Sequence, residues 1–266
     1  MRILVVGATG FIGKVLMRYI DEPVVLTRNR EAARAKFPKA GVFEWNPDKG
    51  VIPEEAFEGV EAVFNLAGEN ISVRWTEISK RRIRESRISA TRTIVSAIEK
   101  CGKPPKVLIN ASAIGYYGSA GEGELSEESD KGTGFLSDIC GEWETEAMKA
   151  EALGVRVVTP RFGIVLGRSG GLLRKLLLPF KFGLGGRLGD GKQWMSWISV
   201  FDLAGILMFA LETEKLRGPV NAVSPRPVRN SDFTEALADT LERPAVNVEF
   251  SVKNDFGGEK RLERFR

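Results

Sequence analysis

The stretch RILVVGATGFIGKVLMRYI, residues 2–20, restricts the fold more than any other part of the chain. Ile3 to Val6 is an unbroken apolar run, the pattern of a central parallel strand covered on both faces. Glycines follow at Gly7, Gly10 and Gly13, and an apolar helical period then runs through Phe11, Ile12, Leu16 and Ile20. The same alternation recurs down the chain. PVVLTR (23–28), VFEW (42–45), VEAVFNLAG (60–68), KVLINASA (106–113) and VRVVTPRFGIVL (155–166) read as further strands, with helices over 75–100 and 134–153. Strands that alternate with helices in this way predict an α/β fold with a doubly wound parallel sheet.

After about residue 167 the texture changes. GRSGG and GLGGRLGDGK are glycine-rich turns around an apolar helix, LLRKLLLPF, and WMSWISVFDLAGILMFALE gives a short extended piece and another helix. A last helix over 230–242 has Asn230 or Ser231 as its expected N-cap. The chain thus divides into a first domain over 1–166, to whose sheet later segments return, and a smaller substrate-side lobe over 167–266. The end of that lobe, 251–266, is a charged tail.

Composition narrows the chemistry. At 43% hydrophobic and 28% charged, the 266 residues can bury a large core and remain soluble. The net charge of +4 suits anionic small molecules as well as nucleic acid and decides little alone. No apolar run approaches the ~20 residues of a membrane span, no signal peptide is evident, and only Cys101 and Cys140 carry thiols. The expectation is a cytoplasmic protein with reduced cysteines. Histidine is absent, which excludes a Ser-His-Asp triad, a Cys-His dyad and any His-containing zinc site. No metal site is expected, and acid–base work falls to Tyr, Lys, Asp, Glu, Cys or Ser.

A strand, a glycine loop and a helix in that order form a phosphate cradle. The glycines admit the backbone to a pyrophosphate, and the helix start supplies free N–H groups. The competing account is a tight turn with no ligand. At the end of the second strand, an acidic residue would hydrogen-bond the ribose of NAD, whereas a basic one accommodates the 2′-phosphate of NADP. This chain has Thr27 and Arg28 there, followed by Asn29 and Arg30. The expected cofactor is therefore NADP(H).

Residues 74–92, RWTEISKRRIRESRISATR, hold seven basic residues against two acids. A solvated helix face is the simple account, and nucleic-acid binding finds no recognised module here. Ile83, Ala90, Ile94 and Ala97 mark an inward stripe, and Arg87 falls on it with Ser86 and Arg82 beside it. An arginine on a core-facing stripe needs a partner, because burying it unpaired is costly. A nucleotide phosphate, an anionic substrate or an internal carboxylate would each serve.

GATGFIG, NLAG, SAIGYYG, PRFGIVLG and WISVFDLAG together resemble an extended short-chain dehydrogenase/reductase. NLAGEN, RWT, GYYG and CGEWE are similar, more narrowly, to the atypical epimerase-family branch of NAD-dependent epimerase/dehydratase-like proteins. The resemblance covers about 1–245 and fades after Pro244, where that branch carries a longer C-terminal segment. It implies an NAD(P)-binding Rossmann fold. Gly7, Thr9, Gly10, Phe11, Ile12 and Gly13 would lie on the pyrophosphate, and Thr27 and Arg28 at the adenosine phosphate. Leu66, Ala67 and Gly68 would line the groove. Arg82 and Arg87 would lie by the cofactor, Arg87 at a place where many relatives have asparagine. Pro160, Arg161 and Val165 would approach the nicotinamide. Ser112 matches the serine of the catalytic set.

Active relatives carry Tyr-x-x-x-Lys on the helix that here reads FLSDICGEWETEA (135–147). Alignment puts Cys140 at the tyrosine and Glu144 at the lysine, so the usual mechanism cannot run unaltered. Tyr116 and Tyr117 are the remaining proton donors, with no lysine in view to tune them. The resemblance thus implies an NADP(H)-binding oxidoreductase or epimerase-like protein acting on a small hydroxyl or carbonyl compound. Gly185–Trp197 would form a lid, with Trp194 and Trp197 able to stack on a ring. The alternative is an NADPH-binding sensor or scaffold without turnover. A small-molecule substrate and a homodimer are the implied partners, with neither nucleic acid nor membrane.

Overall fold

The computed structural model describes residues 1–245, so the charged tail expected at 251–266 lies outside the described residues. In chain order the first half runs β1 (Arg2–Val6), α1 (Phe11–Leu16), β2 (Glu22–Thr27), α2 (Arg30–Lys36), β3 (Gly41–Glu44), β4 (Ala62–Asn65), α3 (Glu77–Glu99), β5 (Val107–Asn110), β6 (Ser112–Ala113) and α4 (Phe135–Met148). The second half runs β7 (Arg156–Phe162), β8 (Ile164–Gly167), α5 (Gly171–Lys181), β9 (Trp194–Met195), β10 (Trp197–Ser199), α6 (Val200–Glu212), β11 (Gly218–Ala222), β12 (Val228–Arg229) and α7 (Asn230–Thr240).

The main sheet has the order β11-β7-β5-β4-β1-β2-β3, with β6 also on β7, and its pairings are parallel. The expected Rossmann-type doubly wound sheet is thus the observed one. Alternation along β1 sends Ile3 and Val5 to one face, with Leu203 and Leu207 of α6, and Leu4 and Val6 to the other, with Ile94 and Ile98 of α3. Both faces are therefore dry, which is why β1, β4 and β5 read as continuous apolar runs. No helix among the described residues is long and apolar enough to cross a membrane.

Three boundaries differ from expectation. The single strand expected over 155–166 is two: β7 stays in the main sheet, while β8 leaves it to pair with β10. The break falls at Gly163, where a Cβ would stand 2.5 Å from the Ser196 carbonyl oxygen. The helix expected over 134–153 is α-helical to Met148 and ends as a 3-10 turn, Lys149–Leu153, closed by left-handed Gly154. Neither Asn230 nor Ser231 caps the last helix. Arg229 holds the cap position, and Asn230 is buried, its Oδ1 accepting from the Leu188 amide at 2.7 Å. Its side chain serves a tertiary crosslink instead of the helix end.

Candidate cofactor and active site

The chain leaves β1 toward β2 and β3, then returns on the other side through β4. The switch point between β1 and β4 is where open α/β sheets bind ligands. Gly7 adopts φ +84°, and a Cβ on it would lie 2.8 Å from Leu66 O. A Cβ on Gly13 would lie 2.3 Å from Gly7 O. No side chain caps α1, whose N-cap is Gly10, so its first N–H groups remain available. Thr9 and Gly10 are exposed at the turn, while Leu66, Ala67 and Gly68 form the opposing wall. This cradle, which any Cβ would fill, fits a pyrophosphate. The Phe11 ring turns away from it: Cβ atoms on Gly167 and Gly170 would meet that ring at 2.7 and 2.5 Å. Phe11 thus packs α1 against the turn between β8 and α5, and Ile12 and Val165 join the same contact.

At the end of β2, Thr27 Oγ1 accepts from the Asn29 amide, turning the chain into α2. Beyond it lies an open hollow of about 710 Å³ lined by Arg28, Asn29, Arg30, Glu31, Arg34, Ala35 and Glu44. None of its three arginines takes part in an ion pair among the described residues. Arg30 and Arg34 went unassigned in the sequence; their i, i+4 spacing on α2 was the available signal.

The floor between β4, β5, α3 and α4 is a buried polar cluster that sequence reasoning missed. Asn65 Nδ2 donates to Asn110 Oδ1 at 2.6 Å and to Thr91 Oγ1 at 2.9 Å, and Trp143 Nε1 donates to Thr91 Oγ1 at 2.9 Å. Asn65 Oδ1 also accepts from the Ala67 amide and so shapes the wall after β4. Arg87 is folded inward above this floor, as the stripe on α3 required. Its Nη1 and Nη2 donate to the carbonyls of Ile83 and Glu69, its guanidinium lies 5.3 Å from the Trp143 ring centroid, and it makes no ion pair among the described residues. Burial lowers its pKa. The internal carboxylate offered as a partner is therefore not there. Arg82 is exposed, and Lys80, Arg81, Arg84 and Arg92 are paired with Glu77, Glu85, Glu142 and Glu146, so most of the basic surface of α3 is already compensated.

Around β6 the structure joins residues that the sequence left apart. Ser112 Oγ donates to Glu144 Oε1 at 2.5 Å. Arg161 grips the same carboxylate through Nε at 2.9 Å and Nη2 at 2.8 Å. Arg161 Nη1 donates to Tyr117 Oη, which in turn donates to Asn221 Oδ1 at 2.6 Å. Ser112 is 1% exposed, Arg161 2% and Glu144 8%. Burial works against the charge on Arg161, but Glu144 and Tyr117 outweigh it and hold its pKa above the usual value. The inverted charge of Glu144 is thus neutralised from β7, and Arg161 spends its donors on protein partners. Pro160, its neighbour, is buried in the same strand. Glu144 one turn after Cys140 on α4 and Arg161 inside a strand buried along its whole length, each needing the other, were the signal that could have revealed this pair.

Cys140 is buried on α4, and burial together with nearby Glu144 pushes its thiol up to about 11 from 9.0. A raised acid pKa favours the folded state below the unfolded pKa and loses that advantage as pH rises toward the folded one. Two results are expected. A disulfide reagent at pH 8 modifies at most Cys101 in folded protein and both thiols after denaturation. Between pH 9 and about 11, folding stability falls more steeply in the parent protein than in Cys140→Ala. Rapid modification of Cys140 in the native protein would contradict the first.

Trp194 in β9 does not present a free ring. Arg229 lies 3.8 Å above its centroid, and its Nε1 donates to Glu122, to which Arg229 is also paired. Trp197 Nε1 donates to Arg226 O. Trp197 is thus tied to the segment before β12, and Trp194 to Glu122 in the loop before α4.

A parallel sheet with a glycine cradle at its switch point defines an α/β protein of the NAD(P)-binding Rossmann class. The chain belongs to the NAD dependent epimerase/dehydratase family, whose model matches residues 3–222. An epimerase family protein of Mycobacterium bovis is 40% identical over 246 residues, covering 91% of this chain and 79% of the relative. The epimerase family protein YfhF of Bacillus subtilis is 39% identical over 249 residues, 92% of this chain and 81% of the relative. Among solved structures, the human epimerase family protein SDR39U1 with NADPH matches with a TM-score of 0.80 at 34% identity, covering 93% of this chain and 82% of that one.

Proposed function

We propose that this chain binds NADP(H) and acts as an oxidoreductase or epimerase-like protein on a small hydroxyl- or carbonyl-bearing substrate. The observation that carries the reading is the hollow at the end of β2, where Arg28, Arg30 and Arg34 stand without a carboxylate partner one strand from the glycine cradle. A 2′-phosphate supplies the charge that this cluster lacks. The human relative solved with NADPH supports the same choice. Gly7, Gly10 and Gly13 would admit the pyrophosphate, and Arg87 would reach toward the nicotinamide half. The bound nicotinamide would supply hydride chemistry; the chain's own residues bind it, orient it and handle the proton.

Arg28→Ala and Arg34→Ala are each expected to weaken NADPH about 10- to 100-fold, the equivalent of roughly 1.5–3 kcal/mol for a charged hydrogen bond. NADH affinity should stay the same. Fluorescence titration of both cofactors measures this, and equal affinity for the two in the parent protein, unmoved by either change, would sink the NADP assignment.

A second reading, a cofactor sensor without turnover, draws support from the sealing of Ser112, Glu144 and Tyr117 against one another. NADPH oxidation across a panel of carbonyl compounds, run beside the binding titration, separates the two. Binding with no turnover of any compound favours the sensor.

A further inference from the structure

We propose that Tyr116 is the proton-transfer residue of this site, with Arg161 supplying the positive charge beside it in place of the pair that α4 lacks. The inference rests on the NADP(H) reading above and names the residue that would do its acid–base work.

Five side chains that could exchange a proton belong to or adjoin the cluster of Ser112, Glu144 and Arg161: Ser112, Tyr116, Tyr117, Cys140 and Glu144. Four are committed. Ser112 gives its hydrogen to Glu144, both oxygens of Glu144 face Arg161, and the Tyr117 hydroxyl is held between Arg161 and Asn221. Cys140 is sealed in the core. Tyr116 differs. It is half-buried, its hydroxyl bonds to no described residue, and that oxygen is not closed off from solvent.

The Tyr116 ring is also held by its neighbours. The Arg161 guanidinium carbon lies 3.5 Å from its centroid, and Tyr117 meets it edge-on at 5.5 Å. Its backbone carbonyl accepts from Ser137 Oγ at 2.7 Å and the Gly132 amide at 3.0 Å. A guanidinium stacked on an aromatic face is attracted to the ring and more strongly to negative charge developing on it. Glu144 takes up part of that charge, so its share in the arrangement is to hold the guanidinium flat against the ring. Glu144 is thereby a positioning residue.

In the reducing direction, bound NADPH would supply the hydride to the substrate carbonyl carbon and be oxidised in doing so, while the Tyr116 O–H bond breaks and its proton joins the carbonyl oxygen, whose π pair becomes the new O–H bond. The phenolate left behind lies against Arg161 and recovers its proton from solvent.

The chain has three tyrosines, which makes the test direct. N-acetylimidazole, with peptide mass mapping, reports the accessibility of each phenol. Tyr19, exposed in the turn that follows α1, is the internal control, and Tyr117 should stay unmodified. Saturating NADPH should slow acetylation of Tyr116 several-fold and leave Tyr19 unchanged. Tyr116→Phe should keep NADPH affinity within about threefold and lower kcat on any carbonyl compound the parent reduces by about 100-fold or more, the usual scale of general acid catalysis. Binding of NADPH without protection of Tyr116, or a Tyr116→Phe variant with near-parent kcat, overturns the assignment while leaving the cofactor reading intact. Failure of NADPH to bind in the parallel titration removes the cofactor reading and this assignment with it.

Discussion

Arg161→Met is expected to destabilise the protein by about 3–5 kcal/mol, because it leaves the Glu144 carboxylate buried without its cation. The pair is bidentate, with both residues deep in the interior, and no other cation pairs with Glu144 among the described residues. The loss also frees the Tyr117 hydroxyl from one of its two partners. Removing both charges tests the cause. Arg161→Met combined with Glu144→Leu replaces an ion pair by apolar volume, and such replacements are often neutral or better. The double variant should therefore recover most of the loss, leaving the cost of the unpaired Ser112 hydroxyl, about 1–3 kcal/mol. Urea denaturation of the parent, Arg161→Met, Glu144→Leu and the double variant measures the coupling. A single-variant loss below about 1 kcal/mol, the scale of an exposed pair, would show that solvent reaches Glu144.

Gly13→Ala should abolish cofactor binding, with an affinity loss of about 100-fold or more, near 2.7 kcal/mol. The added methyl would lie 2.3 Å from Gly7 O and 2.7 Å from the Ala8 Cα, both backbone atoms that cannot swing aside. The first turn of α1 must move away from the loop after β1, and the phosphate cradle opens. Gly10→Ala is the contrast: its Cβ would meet Gly7 O at 3.1 Å, so a few tenths of an ångström of adjustment suffice and the loss should be smaller. NADPH titration gives the order, and thermal melts show whether each variant remains folded. If Gly13→Ala is folded and binds like the parent, the cradle is not where the cofactor sits.

Much of the fold was legible in the residues because the relevant information is local. Ile3–Val6 followed by spaced glycines specifies a buried strand turning into a helix, and the stripe of Ile83, Ala90 and Ile94 placed Arg87 on the inward side of α3 before any coordinates did. Boundaries set by distant neighbours were not legible. Gly163 looks like any glycine in a strand until the Ser196 carbonyl lies against it. Asn230 looks like a cap until the Leu188 amide claims its side chain. The network around Glu144 is hidden for the same reason: along the chain Glu144 is a charge with no visible partner, and nothing near Tyr116 and Tyr117 shows that Arg161 lies beside them.

By itself, the sequence determined that this chain would wind a parallel sheet around a glycine turn, that any acid–base work in it would proceed without histidine, and that no Tyr-x-x-x-Lys pair occurs along it. Only the tertiary structure decided that Arg161 answers Glu144, that Tyr117 is bound to Asn221 across 104 residues, and that, of the two tyrosines after β6, Tyr116 keeps a hydroxyl with no partner among the described residues. Periodicity and glycine spacing are constraints between near neighbours and can be read along the chain. Compensation of buried charge is a constraint between whichever residues the sheet brings together, and strand order sets that only after folding.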